Sequence, residues 1–590
     1  MLGRILLTAL LVSIWFGTCR AASPVTTGLK RPMVVYNNWS AYDELSDTIP
    51  QTSALCMRML DEVLRLKQAG VQVDCYLMDA FWFDVDGGYR VWHKEHWPDG
   101  PDAWVRKCRE NGIMPGLWFS TNLFVSGGQP MLRPVKEWSG SVDAGGATLS
   151  LTEGGYLEHL MQTLQQYADM GIGLFKFDFA YFDAATAPTR ENTLASEIIE
   201  NNKRAFIAAL RQFRHDNPDV IIIAYNGFGA EMEDTTHPFR KTIDPRWPEV
   251  FDTMYSGDPR LSDVPMQNFW RSQDIYSDQM VREMAFNGLP VERIDNCSFM
   301  IGETGTCYRR GIAAWRSSLL LNMARGGWLN VMHGNIDLLD DADARWMARA
   351  QHLYLPLQRH GRTTFISGLP GKSEPFGYKA ESTDGAVLTL VNPSQQALRL
   401  PLHTDNRYDT ATLLFADSGF SPQIEADTIV LGPEQMAVVG LGRYAGSEYQ
   451  LGEEPDVLIP SAIKPIGAET VTASANGAKG SFSASAPSGE GIRITLQQCD
   501  SKGKPFRYWG GGLPDGRNMK DYYIITARQG KRSIPLKIQY DKVLWSGLSW
   551  ATAEIDASEF DHSRPVTLEY GVPELESGNS LDCKIYSVKY

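Results

Sequence analysis

Lys176 and Asp178 stand two residues apart in Leu174-Phe-Lys-Phe-Asp-Phe-Ala-Tyr-Phe-Asp183, a run that otherwise reads as a buried strand. Side chains two apart in a strand share a face. The two charges therefore project together, and Phe175, Phe177 and Phe179 project the other way. Burying an unpaired charge is costly. The segment is thus either an internal ion pair or a strand that ends at an active-site mouth, with Asp178 as its working carboxylate. A second carboxylate, Asp274, follows in Arg271-Ser-Gln-Asp274, and Asp278 lies four residues beyond it. Two carboxylates across one pocket are what glycosidic bond cleavage needs: one attacks the anomeric carbon or activates water, and the other protonates the leaving oxygen. A separation of about 5–5.5 Å retains configuration, and about 6.5–9.5 Å inverts it.

Other residues suit the same chemistry. Lys176 would keep Asp178 ionised or donate to sugar hydroxyls. Asp79 could accept from vicinal hydroxyls, and Arg271 could hold a hydroxyl or orient Asp274. Trp39, Trp82 and Trp118 could wall a sugar ring, although each reads equally well as packing. Asn226 closes the group in Tyr225-Asn-Gly227.

These residues need a scaffold that brings strand ends together. Strand-like runs occur at Met33–Tyr36, Val73–Asp79, Met114–Ser120, Leu174–Ala180, Val220–Asn226, Asn268–Asp274, Cys297–Ile301 and Trp328–His333. Helical periodicity fills the gaps at Ala54–Ala69, Ala103–Asn111, Gly155–Met170, Leu194–Arg214, Ser277–Asn287 and Gly311–Ala324. Alternation of this kind predicts a parallel sheet, and eight units predict a (β/α)8 barrel over 28–362. An open doubly wound sheet is the alternative, but no GxGxxG follows an early strand. In a barrel the site lies at the C-terminal strand ends, where seven of the eight runs carry polar or aromatic residues.

After the barrel, strand-turn patterns predict an antiparallel β-sandwich over 363–445, a linker over 446–465, and a further all-β module over 466–590. The module's Tyr508-Trp-Gly-Gly-Gly512 is either a ligand loop or a turn, and the module itself either binds carbohydrate or caps the structure. Residues 1–21 read as an export signal: Arg4, the apolar run Ile5 to Phe16, then Cys19-Arg-Ala21. The expected location is periplasmic or extracellular. No later run is long enough to span a membrane. A net charge of −14 argues against nucleic acid as a partner. Sixteen Trp and 23 Tyr supply flat apolar faces of the kind that sugars stack on. No Cys/His cluster suggests a metal. Cys297–Cys307 and Cys499–Cys583 are the disulfide candidates.

In order and spacing, these pieces resemble the α-galactosidase clan, glycoside hydrolase families 27 and 36. Val35-Tyr-Asn-Asn-Trp-Ser40 resembles the first-strand Trp motif, and Tyr76-Leu-Met-Asp-Ala-Phe-Trp82 the Asp-Asp-Gly-Trp element. Gly112-Ile-Met-Pro-Gly-Leu-Trp118 resembles the entry to the third strand. Lys176-Phe-Asp178 resembles the nucleophile element, Phe269-Trp-Arg-Ser-Gln-Asp-Ile275 the acid/base element, and His333-Gly-Asn-Ile-Asp337 the eighth strand.

The resemblance implies retaining hydrolysis of a carbohydrate, with Asp178 as nucleophile, Asp274 as acid/base and Asp278 in reserve for that role. It implies Asp79, Lys176 and Arg271 on sugar hydroxyls, and neither metal nor organic cofactor. Ala80 stands where the family shows a second acidic residue. Besides α-galactosides, the expected substrates therefore include α-N-acetylgalactosaminides, β-L-arabinopyranosides and α-glucans. A non-catalytic carbohydrate-binding surface protein is the remaining alternative.

Overall fold

The computed structural model describes residues 28–39, 50–126, 129–229, 243–295, 299–302, 311–506, 519–538 and 548–590, apart from positions 367, 403, 405, 406, 456 and 458. The export signal, the Cys297–Cys307 pair and the Tyr508–Gly512 loop lie outside the described residues.

Eight strands form a parallel ring: β1 (Met33–Asn37), β2 (Cys75–Met78), β3 (Met114–Ser120), β4 (Leu174–Asp178), β5 (Ile221–Ala224), β6 (Thr253–Tyr255), β7 (Ile294–Asp295) and β8 (Leu329–Gly334). From β1 to β7 each pairs with the next, and β1 also pairs with β8 from Met33↔Leu329 to Asn37↔His333. A short strand just past β7, Met300–Ile301, pairs with β8 and brings the ring round to its other edge. The (β/α)8 expectation holds.

Alternation divides the strand residues between two cores. Val35, Cys75, Leu77, Leu174, Ile221, Ile223, Leu329 and Val331 pack together in the interior. Phe175 and Phe177 point outward onto Phe213, Phe206 and Phe251. Lys176 and Asp178 therefore face inward, in phase with Leu174. At the lower end, buried Asp252 accepts the backbone N–H groups of Leu29 and Ile222 and pairs with Arg214.

The sixth strand is a correction. Asn268–Asp274 is not a strand but the N-cap and first turns of the helix Phe269–Phe286. Trp270, Arg271, Asp274, Asp278 and Arg282 recur at three- and four-residue spacing and are all buried, which is helical periodicity. The true sixth strand, β6, has three residues, too few for a periodic pattern to show.

The first β-domain extends further than expected. Its six-stranded sheet runs Arg362–Ile366, Phe376–Glu381, Gly385–Val391, Met436–Gly442, Ala411–Asp417, Gly452–Glu454, opposite a three-stranded sheet. Gly452–Glu454 lies inside the expected linker. Buried Glu454 accepts the backbone N–H of Ser317 on the barrel helix Trp315–Ala324 at 2.9 Å. Tyr449, Leu451, Val457 and Ile459 are buried too, so this stretch is packed structure.

The second β-domain begins at the strand Ala462–Thr472 and pairs five- and four-stranded sheets. It docks through Arg493, which is fully buried and bonds both Glu554 of its own domain (2.6 Å) and Glu434 of the first (3.4 Å). Cys499 and Cys583 are both free. Pairing sets Cys583 opposite Leu496 and Cys499 opposite Ser580, so the expected staple is not made.

Candidate active site

Strand ends β1, β2, β4 and β5 place Trp39, Asp79, Asp178 and Asn226 at one mouth. Lys176 sits just below, and its ammonium meets the Asp79 carboxylate at 2.8 Å with side-chain exposures of 3% and 4%. It also lies 3.9 Å from the Tyr225 ring centroid and 5.7 Å from that of Trp39, both cation–π distances. The partner of Lys176 is thus Asp79 rather than its strand neighbour Asp178. Asp79 is further fixed by its own backbone N–H, which donates to Asn38 at 2.8 Å.

Asp178 is held by three N–H donors. Its Oδ1 accepts from the backbone of Phe179 (2.9 Å) and of Asn226 (3.1 Å), and its Oδ2 from Trp118 Nε1 (3.2 Å). Phe179 adopts φ +48°, unusual for a bulky residue, to present that N–H; Phe81, past the end of β2, adopts φ +70°. Such strain concentrates where a site demands one geometry.

Burial pushes the Asp178 carboxyl above its ordinary value. Lys176 and the Trp118 hydrogen bond oppose that rise, while Asp79 and Asp258 add to it. Lys176 thus acts in the expected direction, and desolvation outweighs it.

Asp258 is the carboxylate that the sequence reading missed. It follows β6 by three residues, and its Oδ1 accepts the Tyr255 hydroxyl at 2.7 Å. It joins the site through Tyr255, whose ring stacks on Tyr225 beneath the Lys176 ammonium. Tyr255 stacks on Tyr225 at 4.0 Å, and the Tyr225 hydroxyl donates to Asp295 on β7 at 2.8 Å. Burial pushes Asp295 up to about 7, against the Tyr225 hydrogen bond and Lys176. His333, on β8, is edge-on to Trp39; burial and then Lys176 drive its pKa well down, so its ring is neutral. A signal for Asp258 was present in Thr253-Met-Tyr-Ser-Gly-Asp258: a short apolar run, turn residues, then a carboxylate.

Five expected site residues lie elsewhere or act differently. Arg271 is fully buried, bonding Asp274 (2.9 Å), Asp417 (2.6 Å) and the Glu434 carbonyl (3.2 Å). Arg271 thereby clasps the Phe269–Phe286 helix to the first β-domain, and Asp274 pairs with it from the same helix. Asp278 accepts from Arg325 (2.7 Å) and Tyr378 (2.6 Å) in the same interface, so it is no reserve acid. Trp82 has no exposure and sits among Phe83, Tyr89, Trp92, Phe119 and Tyr167, so it cannot wall a sugar. Trp118 is buried as well and serves the Asp178 carboxylate instead. Trp39 is half-buried at the mouth. Among the described residues, no group of His, Cys, Asp and Glu could hold a metal ion, and no helix is long and apolar enough to cross a membrane.

No protein-family model matches the chain, and no curated protein does. Distant matches occur among solved structures. The GH36 alpha-galactosidase AgaA of Geobacillus stearothermophilus, in complex with raffinose, aligns at TM-score 0.48 and 12% identity over 72% of this chain and 57% of its own. The alpha-galactosidase from Lactobacillus brevis gives 0.48 and 13% over 70% and 55%. The trehalose-6-phosphate hydrolase of Bacillus licheniformis gives 0.45 and 11% over 70% and 99%. The chain thus spans little more than half the length of these two alpha-galactosidases. With TM-scores below 0.5, these three likenesses carry no argument.

Two outcomes follow from the site. The acid limb of kcat/KM reports the free-enzyme base, so it lies above the ordinary carboxylate range and activity falls as pH drops through it. Trp118→Phe removes a donor that favours the ionised form and moves that limb further up in pH. Asp274→Ala breaks a buried pair and costs about 3–5 kcal/mol in urea unfolding, while the ratio of activities on good and poor leaving groups stays at the wild-type value.

Proposed function

We propose that this protein is a retaining glycoside hydrolase that removes terminal α-galactosyl residues through a glycosyl-Asp178 intermediate, with Asp258 as acid/base. The observation that carries this reading is the pair of carboxylates at the ends of β4 and β6, each held by hydrogen bonds and joined through the Tyr225–Tyr255 stack under Lys176.

The chemistry follows from the lone pairs. Asp178 Oδ1 accepts two N–H groups and Oδ2 accepts one, so Oδ2 keeps the freer lone pair for attack. Oδ2 bonds to the anomeric carbon as the glycosidic bond breaks, and Asp258 gives its proton to the departing oxygen. The resulting Asp258 carboxylate then takes a proton from water. That water's oxygen bonds to the anomeric carbon, the ester bond breaks, and Asp178 is regenerated. Asp79 and Lys176 lie where they would hold ring hydroxyls, and half-buried Trp39 offers a ring face. Export through the leader at 1–21 is part of the proposal.

The galactosyl assignment rests on the resemblance of the motifs. One observation keeps other sugars in view: Asp79 is engaged by Lys176, and its neighbour Ala80 offers no polar side chain. Recognition of one hydroxyl separates α-galactoside from α-N-acetylgalactosaminide, β-L-arabinopyranoside and α-glucoside.

A panel of these four p-nitrophenyl glycosides tests the reading. The α-galactoside is expected to turn over, and Asp178→Asn to abolish turnover with the fold intact. Asp258→Asn should slow poor leaving groups by about 10²–10⁴-fold and activated ones far less. Normal activity in Asp178→Asn would remove the nucleophile. Silence of the wild type across the panel would favour the carbohydrate-binding alternative.

A further inference from the structure

Asp258 rides on Ser256–Asn268, a segment without helix or strand that all three domains grip. From the barrel, Ser256 N–H donates to the Asp295 carbonyl at 2.8 Å, and Ser262 is tied to Ser272 through its N–H (3.0 Å) and hydroxyl (2.8 Å). From the first β-domain, the Glu434 carboxylate accepts the backbone N–H groups of Gln267 (2.8 Å) and Asn268 (2.9 Å), and Gln395 donates to the Pro265 carbonyl at 3.3 Å.

The third set of contacts comes from the second β-domain. Trp550 Nε1 donates to the Ser262 carbonyl (2.9 Å), Ser549 Oγ to Asp263 Oδ1 (2.8 Å), and Gln497 Nε2 to the Asp263 carbonyl. Trp550 and Ser549 are fully buried, so these contacts are built in. Arg493 of the same domain bonds Glu434 and joins the two grips.

We propose that the C-terminal β-domain completes the active site: Ser549, Gln497 and Trp550 are positioning residues that hold the Ser256–Asn268 loop so that Asp258 meets the leaving oxygen. The inference rests on Asp258 as acid/base. An irregular loop opens at little cost unless tied down, and a misplacement of about 1 Å can cost about 10²-fold in rate. A detached sugar-binding module would touch the barrel without bonding to the segment that carries a catalytic carboxylate.

The test uses the full chain with the double variant Ser549→Ala/Gln497→Met, which spares the packing of Trp550. Phenyl and 2,4-dinitrophenyl α-galactosides are the probes, with Asp258→Asn measured beside them. The expected result is a loss of about 10-fold in kcat/KM on the phenyl substrate, little change on the dinitrophenyl substrate, and partial recovery when Ser549→Thr replaces Ser549→Ala. Hydrogen exchange should quicken in 256–268 and stay unchanged in 174–178. Equal loss on both substrates, no loss, or unchanged exchange in 256–268 would overturn the proposal while Asp258→Asn keeps its leaving-group dependence. If Asp258→Asn itself lacks that dependence, the acid/base assignment falls first and the positioning role with it.

Discussion

A single ammonium buried among carboxylates governs the top of this barrel. Removing a charge from water costs several kcal/mol, about what a well-made ion pair returns. Lys176 meets that cost through Asp79 at 2.8 Å and through the Tyr225 ring. Asp178 and Asp295 share its field without its direct contact, and both rise above the ordinary carboxylate range. The donors around Asp178 are the response: the N–H groups of Phe179, Asn226 and Trp118 all point at the buried carboxylate and favour its charged form. The left-handed backbone at Phe179 is the strain that such an arrangement requires.

The second carboxylate is organised differently. Asp178 ends a strand of the ring, where the sheet fixes it. Asp258 stands on irregular chain, and its placement depends on groups far away in sequence: Glu434, Gln497, Ser549 and Trp550. The buried charges on the Phe269–Phe286 helix belong to the same construction. Arg271 reaches Asp417, and Asp278 accepts the Tyr378 hydroxyl while pairing with Arg325 of the barrel, so the helix that follows the loop is locked against the first β-domain. A catalytic loop held this way ties the chemistry to the docking of all three domains.

Much of this was legible in the sequence where a segment satisfies its own periodicity. The strands near 33, 75, 114, 174, 221 and 329 declare themselves by apolar runs, and Lys176-Phe-Asp178 stands out because charge interrupts one. The misreading at 268–274 has a plain cause. Phe269, Trp270 and Ile275 lend the segment strand-like hydrophobicity, while the spacing of Arg271, Asp274, Asp278 and Arg282 is helical and becomes meaningful only once the first β-domain supplies their partners. Asp258 was missed because β6 is three residues long. Trp82 and Trp118 show a different limit: composition announces aromatic rings, but whether a ring faces sugar or core depends on neighbours such as Tyr89 and Phe119. The stretch 446–465 looked like a linker from its Gly, Glu and Pro, yet Glu454 is drawn in by the N–H of Ser317.

The most direct measurement is covalent trapping. The protein is incubated with 2-deoxy-2-fluoro-α-galactosyl fluoride, digested, and the labelled peptide sequenced by mass spectrometry. The account predicts one sugar on the peptide that contains Asp178, absent in Asp178→Asn. A label on any other carboxylate, or turnover of the α-galactoside with no trapped sugar, would contradict it.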